Sequence, residues 1–153
     1  MILAIDHVGL AVRDVAGAAA TFARLTARPA GTIETLAGQA VRVCFVPHEP
    51  EAGPEEARLE LLEPLAQDTP VARFLSRRGE GLHHVCFLVD DIRREMERLA
   101  GEGFTLIDRA PRRGHGGLVA FLHPQSAHGV LVELLQRDRP YQPDQSEPPE
   151  RQT

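Results

Sequence analysis

Ile5-Asp6-His7-Val8-Gly9-Leu10-Ala11-Val12 is answered, 77 positions later, by Leu82-His83-His84-Val85-Cys86-Phe87-Leu88-Val89. Both runs are rich in β-branched and apolar residues and alternate with the period of a strand. Each leads into an aspartate, Asp14 or Asp91, suited to cap a helix. Each is also followed, further along, by an apolar strand carrying one carboxylate: Leu59-Glu60-Leu61-Leu62 and Leu131-Val132-Glu133-Leu134-Leu135. The chain reads as two copies of one module.

Working outward from the repeat, residues 4–12 predict a strand and 15–25 a helix, with Val15, Phe22 and Leu25 on its buried side. Pro29 ends that helix. Strands are expected at 31–36 and 40–46, joined through Gly38, and at 58–62. Residues 47–56, rich in Pro, Glu and Gly, read as a surface loop. Thr69-Pro70 opens a short linking helix, since proline is tolerated in a first helical turn. The second copy repeats the order: a strand at 82–89, a helix at 91–100 with Ile92, Met96 and Leu99 inward, and strands at 105–107, 118–122 and 130–135. Residues 112–117, Arg-Arg-Gly-His-Gly-Gly, read as a flexible loop. The fold class is α+β: two βαβββ modules, about 1–78 and 79–136, in one domain over 1–136. The polar, Pro-rich segment 137–153 is expected to be a disordered tail.

Strand alternation assigns faces. Ile5, His7, Gly9 and Ala11 share one face of the first strand, and Val8, Leu10 and Val12 the other, which suits a helix. His84 falls with Leu82, Cys86 and Leu88, opposite Val85, Phe87 and Val89. Glu60 and Glu133 each sit among leucines, and a buried carboxylate is normally paired, protonated or metal-bound. One such histidine or glutamate alone reads as an ordinary polar residue. Two of each, at matching positions, ask for a cation. The mixed N/O set suits Co²⁺, Ni²⁺, Mn²⁺, Fe²⁺ or Zn²⁺ with room left for water or substrate. His83 falls on the helix face and reads as structural. His48 and His123 read as loop and turn residues, and His115 and His128, each beside glycine, as exposed loop residues or as rim of a cavity.

Bulk composition excludes several classes. The 153 residues carry 42% hydrophobic and 25% charged residues, as in globular domains. A net charge of −5 and the absence of Trp argue against a nucleic-acid surface. No apolar run reaches the ~20 residues of a membrane span, and nothing in the sequence marks export, so a cytoplasmic location is the default. All 17 basic residues are Arg, which rules out Schiff-base and P-loop lysine chemistry. Cys44 and Cys86 lie in apolar strands and read as buried free thiols.

By these residues the chain resembles the vicinal oxygen chelate superfamily and, within it, the methylmalonyl-CoA epimerases, over about 1–136. The strings that narrow the resemblance are Ile5-Asp6-His7-Val8-Gly9, Leu61-Leu62-Glu63-Pro64-Leu65, Arg78-Gly79-Glu80-Gly81-Leu82-His83-His84, Phe121-Leu122-His123-Pro124 and Gly129-Val130-Leu131-Val132-Glu133-Leu134. The resemblance implies a half-open barrel around one divalent metal, Co²⁺ first, held by His7, Glu60, His84 and Glu133, and a homodimer. It implies an acyl-CoA thioester substrate whose α-proton is removed and returned, with Glu133 as one base. The family often carries a carboxylate in the segment matching 38–43, where this chain has none, its nearest acid being Glu34. Gln125 stands where a lysine often contacts CoA phosphates, and Arg112 and Arg113 are the residues expected to take up that contact. A glyoxalase-like isomerase or lyase shares the ligand set. A non-catalytic small-molecule binding protein of this fold is the further alternative, and retention of all four ligands argues against it.

Overall fold

The computed structural model describes residues 1–47 and 56–138. In chain order the elements are β1 (Ile2–Ala11), α1 (Val15–Thr26), β2 (Glu34–Leu36), β3 (Val41–Val46), β4 (Arg58–Pro64), α2 (Pro70–Arg78), β5 (Gly81–Val89), α3 (Ile92–Gly101), β6 (Arg112–Gly114), β7 (Gly117–Leu122) and β8 (Leu131–Arg137). The first module is thus β1-α1-β2-β3-β4, the second β5-α3-β6-β7-β8, and α2 links them. No helix among the described residues is long and apolar enough to cross a membrane.

All eight strands form one curled sheet in the order β2-β3-β4-β1-β5-β8-β7-β6. Each module pairs its first and last strands in parallel, β1 with β4 and β5 with β8, and the modules join through antiparallel β1 and β5. Asp14 and Asp91 cap α1 and α3 by accepting from Ala16 N and Arg94 N. The helices cover the outer face. Val12, Val15, Ala19, Cys44, Val46 and Leu61 form the core beneath α1, and Val89, Ile92, Met96, Leu99, Ala120, Leu122 and Leu134 that beneath α3. On the inner face, α2 closes one end through Val71 and Leu75 packed on Ala11, Val41, Val43 and Leu62. Both cysteines are buried and free.

Several local expectations change. Leu25 is 74% exposed, because α1 buries only the stripe through Val15 and Ala19. Residues 105–107 make a single bridge, Leu106 to Leu122, and no strand. The Asp108 carboxylate accepts the Phe121 N–H that a ladder partner would otherwise take. Instead, the stretch expected as a flexible loop is ordered as β6 and a tight hairpin turn at His115 and Gly116, the latter at φ 79°. Arg137 and Asp138, expected in the tail, are described and paired, Arg137 closing β8. The rest of that segment, and most of the expected 47–56 loop with His48, lie outside the described residues.

Two bulges between β1 and β5 decide where the site residues point. Ile5 pairs with Phe87 and His7 with Cys86, leaving Asp6 as an extra residue on β1. Gly9 pairs with His84 and Leu10 with Leu82, leaving His83 extra on β5. An extra residue breaks the alternation of faces locally. Ile5 is therefore exposed rather than on the cavity side with His7. His83 turns inward beside His84 instead of toward the outer helices.

Candidate metal centre

The four residues picked out by the repeat converge at the floor of the curled sheet. His7, Glu60, His84 and Glu133 are all buried, and their ligand atoms all lie within 4.8 Å of one another. The two Nε2 atoms of His7 and His84 are 3.1 Å apart. His7 Nε2 lies 3.3 Å from Glu60 Oε2 and 3.4 Å from Glu133 Oε2. For His84 Nε2 the corresponding distances are 3.4 and 3.0 Å. Donors about 2.1 Å from a transition metal stand about 3.0 Å apart at adjacent octahedral corners. The spacing fits one ion. The charge fits as well, since two buried carboxylates and two neutral imidazoles balance a divalent cation.

Electrostatics without an ion say the same. Burial disfavours the charged form of His7, yet the Glu60 charge and the hydrogen bond to Asp6 hold its pKa well above the usual histidine value. His84 is likewise opposed by burial and raised by Glu133 and Glu60. Burial would raise both carboxylates, but the two histidines hold them below the usual range. The cluster draws in positive charge, from protons or from a metal.

The supporting shell is duplicated in its apolar part. Phe45 is the cross-strand partner of Glu60, and Phe121 that of Glu133. Phe45 stands edge-on to His7 at 5.6 Å and Phe121 to His84 at 6.1 Å between centroids. The polar part differs between modules. His7 Nδ1 donates to Asp6 Oδ2 at 2.8 Å, and Asp6 is ion-paired with Arg137. His84 Nδ1 instead lies 3.0 Å from Nδ1 of His83. Burial, then the His84 charge, brings His83 down to about 4. Burial pushes the neighbouring Cys86 thiol up to about 12, leaving it neutral. Asp6, Phe45 and Phe121 were not singled out by the sequence. Their signal was available for the phenylalanines in the shared strand register, but not for Asp6, whose role depends on the bulge.

Above this floor opens a cavity of about 410 Å³, of the size that takes a small-molecule head group. Its wall includes Val41, Leu62, Val71, Val119 and Phe121, with Gln39, Thr69, His83, Asp108, Arg112 and His115 as the polar groups outside the candidate ligand set. Arg112 lies over Phe121 and is ion-paired with Asp108. Arg113 lines the adjoining cleft between β2 and β6 and is held by Asp138. Gln125 is exposed on a 3₁₀ turn and is not among the cavity-lining residues, nor is His128.

Paired βαβββ modules curled around an inward His/Glu set define a class, the glyoxalase/bleomycin resistance protein/dioxygenase superfamily, whose family model matches residues 6–121. An ethylmalonyl-CoA/methylmalonyl-CoA epimerase of Cereibacter sphaeroides is 34% identical over 139 residues, spanning 89% of this chain and 99% of its own. The uncharacterized protein YqjC of Bacillus subtilis is 38% identical over 133 residues, 86% of this chain and 91% of its own. A solved structure of a Streptomyces coelicolor methylmalonyl-CoA epimerase variant with 2-nitronate-propionyl-CoA superposes with a TM-score of 0.83 at 29% identity, covering 94% of this chain and all (100%) of the other. Within the superfamily, the chain belongs to the methylmalonyl-CoA epimerase family.

Proposed function

We propose that this protein is an isomerase that epimerises a 2-substituted malonyl-CoA, methylmalonyl-CoA or a close homologue, by moving the proton on the α-carbon. The observation that carries this reading is the convergence of His7, Glu60, His84 and Glu133 on one ion-sized point beneath an apolar-walled cavity. Family membership supplies the substrate class.

In this reading the four residues hold one divalent metal; the N/O donor set suits Co²⁺, Ni²⁺, Mn²⁺, Fe²⁺ or Zn²⁺, and the family resemblance makes Co²⁺ the first choice. A bound ion there supplies Lewis-acid stabilisation of the negative charge that develops on the acyl oxygen. Glu133 takes the α-proton. The apolar wall keeps water from the reacting carbon. Arg112, fixed over Phe121 on the wall, presents a cation to the substrate's anionic groups.

Incubation with methylmalonyl-CoA in D₂O tests the proposal. Metal-dependent deuterium uptake at the α-carbon is expected, reduced about 10²–10⁴-fold in Glu133→Gln. No exchange by Co²⁺-loaded protein would sink it. Elemental analysis of the purified protein identifies the native ion.

One observation favours a second reading. β3 (Val-Arg-Val-Cys-Phe-Val) carries no carboxylate, so a glyoxalase-like isomerase working with one base fits the same ligands. Turnover of a hemithioacetal, with no exchange on the acyl-CoA, would select it.

A further inference from the structure

Inverting a carbon centre by proton transfer needs a proton donor on the face opposite the base. A lone carboxylate returns the proton to the face it came from. Since β3 offers no acid, the second donor must be sought among the other polar groups of the cavity: Gln39, Thr69, His83, Asp108, Arg112 and His115. The Gln39 amide is not an acid, and the Thr69 hydroxyl donates to Ala66 O and accepts from Ala72 N. Asp108 is committed to the Phe121 N–H and to Arg112. Arg112 does not release its proton in a protein. His83 is held against His84 and packs on Phe74. His115 remains.

Its position is unusual for a turn residue. It belongs to the β6–β7 hairpin of the second module, yet its ring stacks on Phe45 of the first, 5.4 Å between centroids and 27° between planes. It therefore reaches across the mouth of the half-barrel to the His7 side, whereas Glu133 approaches closest to His84. The hairpin is held tight. A Cβ on Gly114 would meet Val119 at 2.6 Å, so this turn lies hard against β7. Glu34 Oε2 is 3.9 Å from His115 Nδ1. Glu34 also pairs with Val43 across β2 and β3, which puts both on one face of the sheet.

We propose that His115 is the second proton-transfer residue, acting on the face of the α-carbon opposite Glu133. The assignment rests on the epimerase reading above. In one direction, Glu133 takes the α-proton as the C–H bond breaks and its electron pair moves onto the acyl C=O. The His115 imidazolium then gives its N–H proton to the opposite face, forming the new C–H bond. Glu133 ends protonated and His115 neutral, and solvent exchange resets both. The reverse direction swaps the roles. An imidazole is the side chain suited to both tasks near neutral pH.

The test follows each epimer of methylmalonyl-CoA separately in D₂O with metal-loaded protein, scoring exchange and inversion independently. Wild type should exchange and invert both. His115→Ala should lose inversion by about 10²–10⁴-fold and still exchange one epimer, with retention, through Glu133, while the other becomes inert. Added imidazole should restore inversion. His115→Gln, which keeps a planar group over Phe45, should show the same partition and so separate proton transfer from stacking. Wild-type inversion in both His115 variants would overturn the assignment. So would equal loss of exchange for both epimers without imidazole rescue, or the same partition arising in His83→Asn instead. If wild type exchanges neither epimer, the epimerase reading itself has failed, an outcome distinct from all of these.

Discussion

His7 and His84 occupy equivalent places in the two modules but have unequal partners. Asp6 behind His7 is resisted by burial, yet the His7 hydrogen bond and the His7 and Arg137 charges keep it ionised. The anion fixes the His7 ring with Nδ1 protonated and Nε2 free to donate its lone pair, the arrangement that strengthens a metal-bound imidazole. His84 has only neutral His83 for that purpose, so its ring is held more by sterics. Gly9 supplies them. A Cβ built at Gly9 would come within 2.1 to 2.8 Å of three His84 ring atoms. Gly9→Ala is therefore expected to fold, at a cost of about 1–3 kcal/mol, and to lose divalent-metal affinity at least tenfold because His84 must swing away. Chelator competition against thermal melting separates the two effects. Wild-type affinity in this variant would show that His84 is not needed to hold the ion.

At the scale of elements, the modules repeat a docking contact three residues beyond each candidate carboxylate ligand, Glu60 and Glu133. Glu63 Oε2 accepts from Val15 N and Gln136 Oε1 from Ile92 N, both at 2.8 Å. Each of these N–H groups opens a helix and has no partner within it. The contact ties the first turn of α1 or α3 to the strand carrying Glu60 or Glu133, so helix position and ligand position are set together. Glu63→Ala and Gln136→Ala should each cost about 1 kcal/mol, with Glu63→Ala the greater because Arg42 also loses its partner. Urea unfolding reads both, and equal stability to wild type in either would refute the coupling. Apart from the strand expected at 105–107, which is a single bridge, the strands, the helices and their aspartate caps were legible in the sequence because they rest on local periodicity and capping chemistry. The β6 hairpin was not, since glycines are as compatible with a loop as with a tight turn, and pairing with β7 decided between them.

For the whole molecule, the buried cluster links stability to pH and to metal. The pKa values of His7 and His84 lie above the ordinary 6.5 in the folded protein. Their stabilisation is full below pH 6.5 and fades as pH rises through the folded values. His83 is held near 4, so it subtracts stability as pH falls below 6.5. Glu60 and Glu133 lie below their ordinary 4.5, and their contribution fades only under that pH. Chelator-stripped protein should then melt highest near pH 6.5 and lower on either side. A divalent cation replaces the histidine protons, so at 100 times its Kd it should add about 2.7 kcal/mol, roughly 5–10 °C. At one fixed metal concentration the gain should be larger at pH 8 than at pH 6, because protons compete for the two imidazoles and weaken binding at the lower pH. Calorimetry across this range checks the sign, and a metal effect greater at the acid end would contradict it.

The sequence by itself determined the duplication, the strand and helix order and the four candidate ligands, because alternation along a strand and recurrence along the chain are local, countable properties. It could not determine which residues stand behind those ligands. Two single-residue bulges between β1 and β5 turn Asp6 and His83 to where alternation would not put them, and a bulge exists only as a mismatch between two paired strands. The reach of His115 across the cavity is likewise a consequence of sheet curvature, which brings the β6 hairpin of one module over Phe45 of the other.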